Sequence, residues 1–384
     1  MSHERSPEQA SSERNEGPSE TAILTIDLDA LAANYRRLRD LAGAAECAAV
    51  VKADAYGLGM AEAAPALARA GCKTFFVATL AEAASLRALL PQAIIYVFSG
   101  LMPGTAELYC ASNLRPVLNS ADEIMEWASF CSSRGEPLPC AVHIDSGMNR
   151  LGLSADEVEQ VAEARDLWQA MTLSLVMSHL ACADEPDHPK SETQRKMFDR
   201  LRARLPRALA SLANSAGILL GSGFAYDMVR PGIALYGGHP HRHGKNPFRP
   251  VVHLKGRVLQ VRLVAPGETI GYGATRTMTR PSRIAIVSVG YADGFFRSLS
   301  AKDGEDSLAV YFGPHAAPIL GRVSMDLITI DVSDVPEAIS SRGAWVELMG
   351  PNVEAHQVAA RAGTIDYEVL TNLGRRAFRR YLGG

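Results

Sequence analysis

The run CAAVVKADAYGLGMAEAAPALARAGCKTFFVATLAEAASLRALLPQAIIYVF, residues 47–98, decides the fold. Three short apolar segments, 47–51, 74–78 and 94–98, are separated by Ala- and Leu-rich stretches whose apolar residues return near every third or fourth position. That is the pattern of buried strands alternating with helices packed outside them. Working outward, the same punctuation continues through 115–118, 141–144, 173–177, a weaker segment at 209–212, and 232–235, with helical stretches such as 61–70 and 121–131 between strands. Eight strands with little alternation suit a TIM-type (β/α)8 barrel, an α/β fold whose strands are buried on both faces. Residues 23–28 form one more strand candidate before the barrel and could join the sheet of the second domain.

After Tyr236 the pattern changes. GGHPHRHGKNPFRP, residues 237–250, lacks periodicity and reads as a linker. Beyond it, 252–264 alternates apolar and polar residues, and 284–289, 307–312, 328–332 and 345–349 are strands without long helices between them. This half is mainly antiparallel β, and helical composition returns only from about 354 to 382. The expected division is a disordered tail at 1–20, a barrel at 21–245 and a C-terminal β domain at 246–384. The tail, rich in Glu, Ser, Arg and Pro, cannot bury enough surface to offset its ordering entropy.

Composition narrows the partners. With 39 basic against 42 acidic side chains the net charge is −3, so no basic field exists to hold nucleic acid or an anionic membrane, and a small molecule is the expected ligand. Six scattered cysteines form no CxxC pair and no zinc spacing, which fits a reducing compartment and no metal. No signal-peptide core and no membrane-length apolar run is present, so a soluble cytoplasmic protein is expected.

Lys52 ends the strand VVK and opens KADAYGLG. An amine at the top of an apolar strand loses hydration, which lowers its pKa and frees the nucleophilic form. On position alone, a lysine snorkelling at a strand end is the commoner case. The surrounding sequence reverses that. VVKADAYGLG resembles the cofactor-lysine motif of alanine racemases, and HIDSGMNRLG, SHLACAD, MVRPGIALYGG, TIGYGATRT, SVGYADG and GRVSMDLITIDV follow in that family's order and at about its spacing. One such motif is weak evidence, whereas seven in order across both halves are specific.

The resemblance implies a fold type III enzyme holding pyridoxal phosphate, a homodimer with active sites built from both subunits, and interconversion of L- and D-alanine by two bases, whether to supply D-alanine for peptidoglycan or to degrade it. It assigns Lys52 as the covalent cofactor residue and one base, and Tyr272 of a neighbouring subunit as the other. Tyr56, Asn214, Ser215, Gly232, Ile233 and Tyr367 match the phosphate cradle, and His179 lies near the cofactor ring. Arg230 matches the arginine facing the pyridine nitrogen. Because arginine does not give up its proton, that nitrogen stays largely unprotonated, delocalisation into the ring is limited and transamination is disfavoured. Arg150 and the main chain at Met325 match the carboxylate holders, a role that suits an arginine fork, and Tyr291 narrows the entrance.

One departure stands out: His143 occupies the place where many members carry a carbamylated lysine that braces the substrate arginine, so Arg150 must be held otherwise, by a bound anion or a direct contact. Leu58, where a histidine is common, is a smaller change. A racemase of another small amino acid such as serine is an open alternative, since an uncharged pocket rejects an added hydroxyl only about a hundredfold. A fold type III decarboxylase would usually place a glutamate where Arg230 stands, and a non-catalytic pyridoxal-phosphate-binding barrel would lack the C-terminal half and Tyr272.

Overall fold

The computed structural model describes residues 19–241 and 243–384; the expected tail lies, apart from its last two residues, outside them. The chain divides into two compact units, one of residues 27–251 with 381–384, the other of residues 22–26 with 252–380 and the segment before them. The division falls after Val251 instead of near 245, and the first strand, Ala22–Asp27, belongs with the second unit's sheet.

In the first unit, Ala49–Val50, Thr74–Val77, Ile94–Val97, Arg115–Leu118, Pro139–His143, Thr172–Met177 and Leu209–Ser211 pair in parallel and in chain order. The eighth strand is Met228–Val229, parallel to Glu46–Cys47. It closes the ring by Asp227 N–H to the Ala210 carbonyl (3.0 Å) on one side and Ala48 N–H to the Val229 carbonyl (3.0 Å) on the other. The segment 232–235, expected as that strand, is instead a 3-10 turn, Ile233–Tyr236. Pro231 has no amide to donate, and Gly232 turns the chain sharply (φ −124°, ψ −88°). Phe75, Phe76, Val97, Val117, Leu118, Val142 and Leu175 are fully buried, as strands enclosed on both faces require.

The helices outside this ring begin with a recurrent device. Thr79, Ser120 and Ser154 each accept a hydrogen bond from the amide of a glutamate three residues on, Glu82, Glu123 and Glu157. Each glutamate turns back to amides at its own helix start: Ala78 (2.8 Å), Asn119 (2.9 Å) and Ser154 (2.9 Å). Each also reaches sideways into the segment that follows the preceding strand: Glu82 to Ala53 (2.7 Å), Glu123 to Leu101 (3.2 Å) and Glu157 to Ala121 (3.2 Å). The rim at the strands' C-terminal ends is thereby stitched from one loop to the next.

Arg87 is a second staple. Its guanidinium donates to the carbonyls of Leu90, Pro91, Ala93, Ser112 and Asn113, closing the end of the helix Leu80–Leu89 onto the turn before Arg115–Leu118. Arg87→Ala is expected to cost about 3 kcal/mol, because several acceptors lose a charged donor at once. Lysine should recover little of this, since one ammonium cannot reproduce the fork. Urea midpoints of the parent and both variants check it.

The second unit is an antiparallel sheet in the order Ser282–Val287, Ile328–Asp331, His315–Leu320, Ala309–Phe312, Trp345–Met349, Val252–Val264, Ala22–Asp27, Phe378–Leu382. Ser282–Val287 also pairs with Val252–Val264, which rolls the first six strands into a barrel. Val252–Val264 can serve three neighbours because it is long and alternates inward Val252, Leu254 and Val258 with outward polar residues. Among the described residues, no helix is long and apolar enough to cross a membrane, and no cluster of His, Cys, Asp or Glu could hold a metal ion.

Candidate active site

Lys52 leaves the first strand of the ring, and the chain then does something its composition gives no reason to expect. Ala53, Asp54, Ala55 and Tyr56 all adopt positive φ, between 53° and 57°, forming a left-handed turn without a glycine. Such a backbone costs roughly 1–2 kcal/mol per residue and survives only where its surroundings over-determine it. Here Ala55 N–H bonds the Val51 carbonyl, Gly59 N–H bonds the Asp54 carbonyl, and the Asp54 carboxylate accepts from Met60 N–H (2.8 Å). The Lys52 Nζ sits 5.8 Å from the Phe98 ring centre. Burial lowers its pKa, Arg150 lowers it further, and Glu82 opposes both.

Arg230 is 3% exposed. It donates to the Ser211 hydroxyl and the Ser178 carbonyl, and Ser211 in turn donates to the Met228 carbonyl (2.6 Å). Burial pulls the guanidinium down to about 9, so it stays charged at neutral pH. No acidic side chain among the described residues pairs with it. His179 is held well below its ordinary value by loss of solvent and then by Arg230 and Arg150, so it is neutral.

His143 is buried, and its Nδ1 lies 2.9 Å from the Asn119 Oδ1. The Asn119 amide group donates to the carbonyls of Phe98 and Val117. Its oxygen is therefore the acceptor, and Nδ1 of His143 carries the proton. Burial, with Arg230 next, lowers His143 to about 4, so the ring is neutral where the resemblance would have put an anion. Arg150 is exposed and has no hydrogen-bond partner among the described residues.

The remaining residues expected in the first unit converge on one cradle. The Ser215 hydroxyl accepts from Gly232 N–H (2.9 Å) and Ala234 N–H (3.3 Å), Asn214 caps the turn that begins at Ser215 through Gly217 N–H (2.9 Å), and Ile233 is fully buried. A Cβ at Gly232 would collide with the Tyr56 hydroxyl. Tyr56 stacks on Tyr236 at 4.7 Å. Gly232→Ala should therefore weaken cofactor retention by tenfold or more, about 1.4 kcal/mol, with little change in the fold; equilibrium dialysis against pyridoxal phosphate measures it.

In the second unit, Tyr272 begins a 3-10 turn framed by Gly271 and Gly273, is 72% exposed, and has no hydrogen-bond partner among the described residues. The Arg322 guanidinium packs against Gly273. Tyr291 and Met325 are brought together: Tyr291 N–H bonds the Ser324 carbonyl and Ala292 N–H the Met325 carbonyl, both 3.0 Å. Asp293, buried beneath them, is gripped by two arms of Arg376 at 2.7 Å. Tyr367 lies part-exposed on the helix Asp366–Thr371.

Sequence reasoning missed Ser211, Ser178, Asn119 and Glu82. Only Glu82 had a readable signal, the T-x-x-E spacing from Thr79.

The family model for the alanine racemase N-terminal domain matches residues 26–240, and that for the alanine racemase C-terminal domain matches 251–381. An alanine racemase of Methylobacterium sp. (strain 4-46) is 52% identical over 94% of this chain and 98% of its own length. One of Rhodospirillum rubrum is 49% identical over 94% and 96%. The crystal structure of alanine racemase from Bartonella henselae, described with covalently bound pyridoxal phosphate, superposes with a TM-score of 0.89 at 41% identity, covering 94% of this chain and 99% of that one. With both domain models matched in order and half of all positions shared with such relatives across nearly its full length, the chain belongs to the alanine racemase family.

Proposed function

We propose that this chain interconverts L- and D-alanine with pyridoxal phosphate held on Lys52, and that it works as a cytoplasmic homodimer. The observation that carries the reading is the set of cations gathered around His179, namely Lys52, Arg150 and Arg230, with Glu82 opposing burial and Arg150 at the lysine. That surplus of positive charge suits a ligand bearing phosphate and carboxylate groups.

The residues fit the cofactor on a steric observation as well: Gly232 has no Cβ, which lets the Tyr56 hydroxyl close over its backbone, and the Gly232 amide and the Ser215 hydroxyl meet at the same place, a set of donors suited to a phosphate. Tyr56, Asn214, Ser215, Gly232 and Ile233 would hold the phosphate, joined by Tyr367. His179, neutral, would lie against the ring. Bound pyridoxal phosphate supplies an electron sink that acidifies the α-hydrogen of an amino acid. Arg230, charged and locked by Ser211 and Ser178, would face the ring nitrogen and, being unable to give up its proton, would leave that nitrogen largely unprotonated. Arg150 and the Met325 main chain orient the substrate carboxylate, and Tyr291 narrows the approach.

Lys52, its pKa lowered by burial, takes or returns a proton on one face of the α-carbon. Tyr272 of a second copy serves the opposite face. Its exposure, with that of Tyr291, Met325 and Leu327 in the same unit, suits a surface completed by another chain. The enantiomers have equal free energy in solution, so one site serves both formation and removal of D-alanine.

Incubating the purified holoenzyme with L-alanine and resolving the product by chiral chromatography tests the reading. Approach to equal amounts of both enantiomers is expected. Carbon dioxide release with no D-alanine would replace it with decarboxylation, and faster turnover of serine would change the substrate.

A further inference from the structure

Glu82 has no part in the chemistry above, yet its carboxylate joins two places that the chemistry depends on. One oxygen accepts from Ala53 N–H at 2.7 Å; the other accepts from Ala78 N–H at 2.8 Å and Thr79 N–H at 3.3 Å. Ala53 follows Lys52 directly and opens the left-handed turn. Ala78 directly follows the neighbouring strand, Thr74–Val77. We propose that Glu82 is the positioning residue for Lys52, fixing the start of the strained turn to the adjacent strand end and so setting where the lysine stands; this rests on the reading of Lys52 as the cofactor lysine.

Three observations carry it. Four successive non-glycine residues at positive φ will not hold themselves, and among the described residues Glu82 is the one side chain that bonds the first of them. The bonds are charge-assisted and therefore roughly twice as strong as neutral ones, and the carboxylate is favoured at the third position of the helix Leu80–Leu89, where free amides point toward it. Glu123 and Glu157 build the same sideways bridge from their own helices, so the device belongs to the rim, but only Glu82 ends on the amide beside the site lysine.

Glu82 also acts on the proton of Lys52. The groups that bear on this amine are Arg150, which disfavours its charge, Glu82, which favours it, and burial, the largest influence. Lys52 in turn acts on His179, which Arg230 and His143 also face. Removing Glu82's charge leaves burial and cations unopposed, so the amine should lose its proton at lower pH.

The test compares Glu82→Gln, Glu82→Asp and, as control, Glu157→Gln in the full-length holoenzyme. For both Glu82 variants kcat should fall about 10- to 100-fold, since small misplacement is costly, with KM for alanine within about twofold. Glu157→Gln should stay within about twofold in both. The second readout is acetic anhydride labelling of Lys52 against pH in the cofactor-stripped full chain, followed by mass spectrometry. Its midpoint should move down in Glu82→Gln, and stay in Glu82→Asp, which keeps the charge but is too short to reach Ala53, and in Glu157→Gln. Should Glu82→Gln not fold, Glu82→Asp decides. A kcat within about twofold of the parent in either folded Glu82 variant overturns the proposal. A downward midpoint in a chain whose Lys52 never takes up the cofactor would uphold the link to Glu82 and sink the reading of Lys52.

Discussion

Replacing Tyr272 by phenylalanine should abolish racemisation while leaving α-hydrogen exchange from D-alanine measurable. Racemisation takes a proton from one face of the α-carbon and returns one to the other, and a substrate pinned through its carboxylate and amine cannot turn over within a tight pocket. Two opposed groups are needed. If Lys52 serves the D-enantiomer and Tyr272 the L-enantiomer, Tyr272→Phe loses only the second. Exchange from L-alanine in heavy water should fall about 10²–10⁴-fold, the usual contribution of a positioned acid or base, while exchange from D-alanine persists through Lys52. The substitution removes a hydroxyl with no hydrogen-bond partner among the described residues, from a side chain that is 72% exposed, so folding and cofactor content should not change. Equal loss from both enantiomers with cofactor retained would show that Tyr272 does not act on one face.

Lys52→Ala should have the larger effect, at least about 10⁴-fold on racemisation, because attachment and one base vanish together. Borohydride reduction of the parent should fix the cofactor to the peptide containing Lys52 and leave the variant unlabelled. Stability should move the other way. Lys52 is a half-buried amine whose charged form is disfavoured by lost hydration and by Arg150, so removing it takes away an unfavourable placement and should leave the cofactor-free thermal midpoint equal or higher. A label on any other lysine would end the assignment.

Much of this was legible in the sequence, and the reasons differ from element to element. The barrel strands around residues 75, 95, 117 and 142 showed as short apolar runs because both faces are buried, and the strand Val252–Val264 showed as alternation because one face is not. The eighth strand was misplaced because Met228–Val229 is only two residues long while the apolar run after it, Ile233–Tyr236, looks more like a strand than a turn. The left-handed turn after Lys52 was invisible: a single Asp tolerates that region but Ala and Tyr avoid it, and the turn is held in part by contacts distant in sequence, such as Glu82 on Ala53. Ser178 and Ser211, which lock Arg230, are single hydroxyls at strand ends and leave no periodic trace. The Asn119 bond that sets the His143 tautomer spans 24 positions, beyond any local pattern.

Each working site should draw Lys52 from one chain and Tyr272 from another, and subunit exchange between two inactive proteins measures this. Lys52→Ala and Tyr272→Phe chains, mixed in equal amounts and allowed to exchange subunits, should form hybrid dimers in which one site holds both native bases and the other neither. Random pairing makes half the dimers hybrid, so activity should recover to about a quarter of the parent's. Hybrid dimers confirmed by mass but with no activity above either variant alone would mean that the two bases do not meet across the dimer.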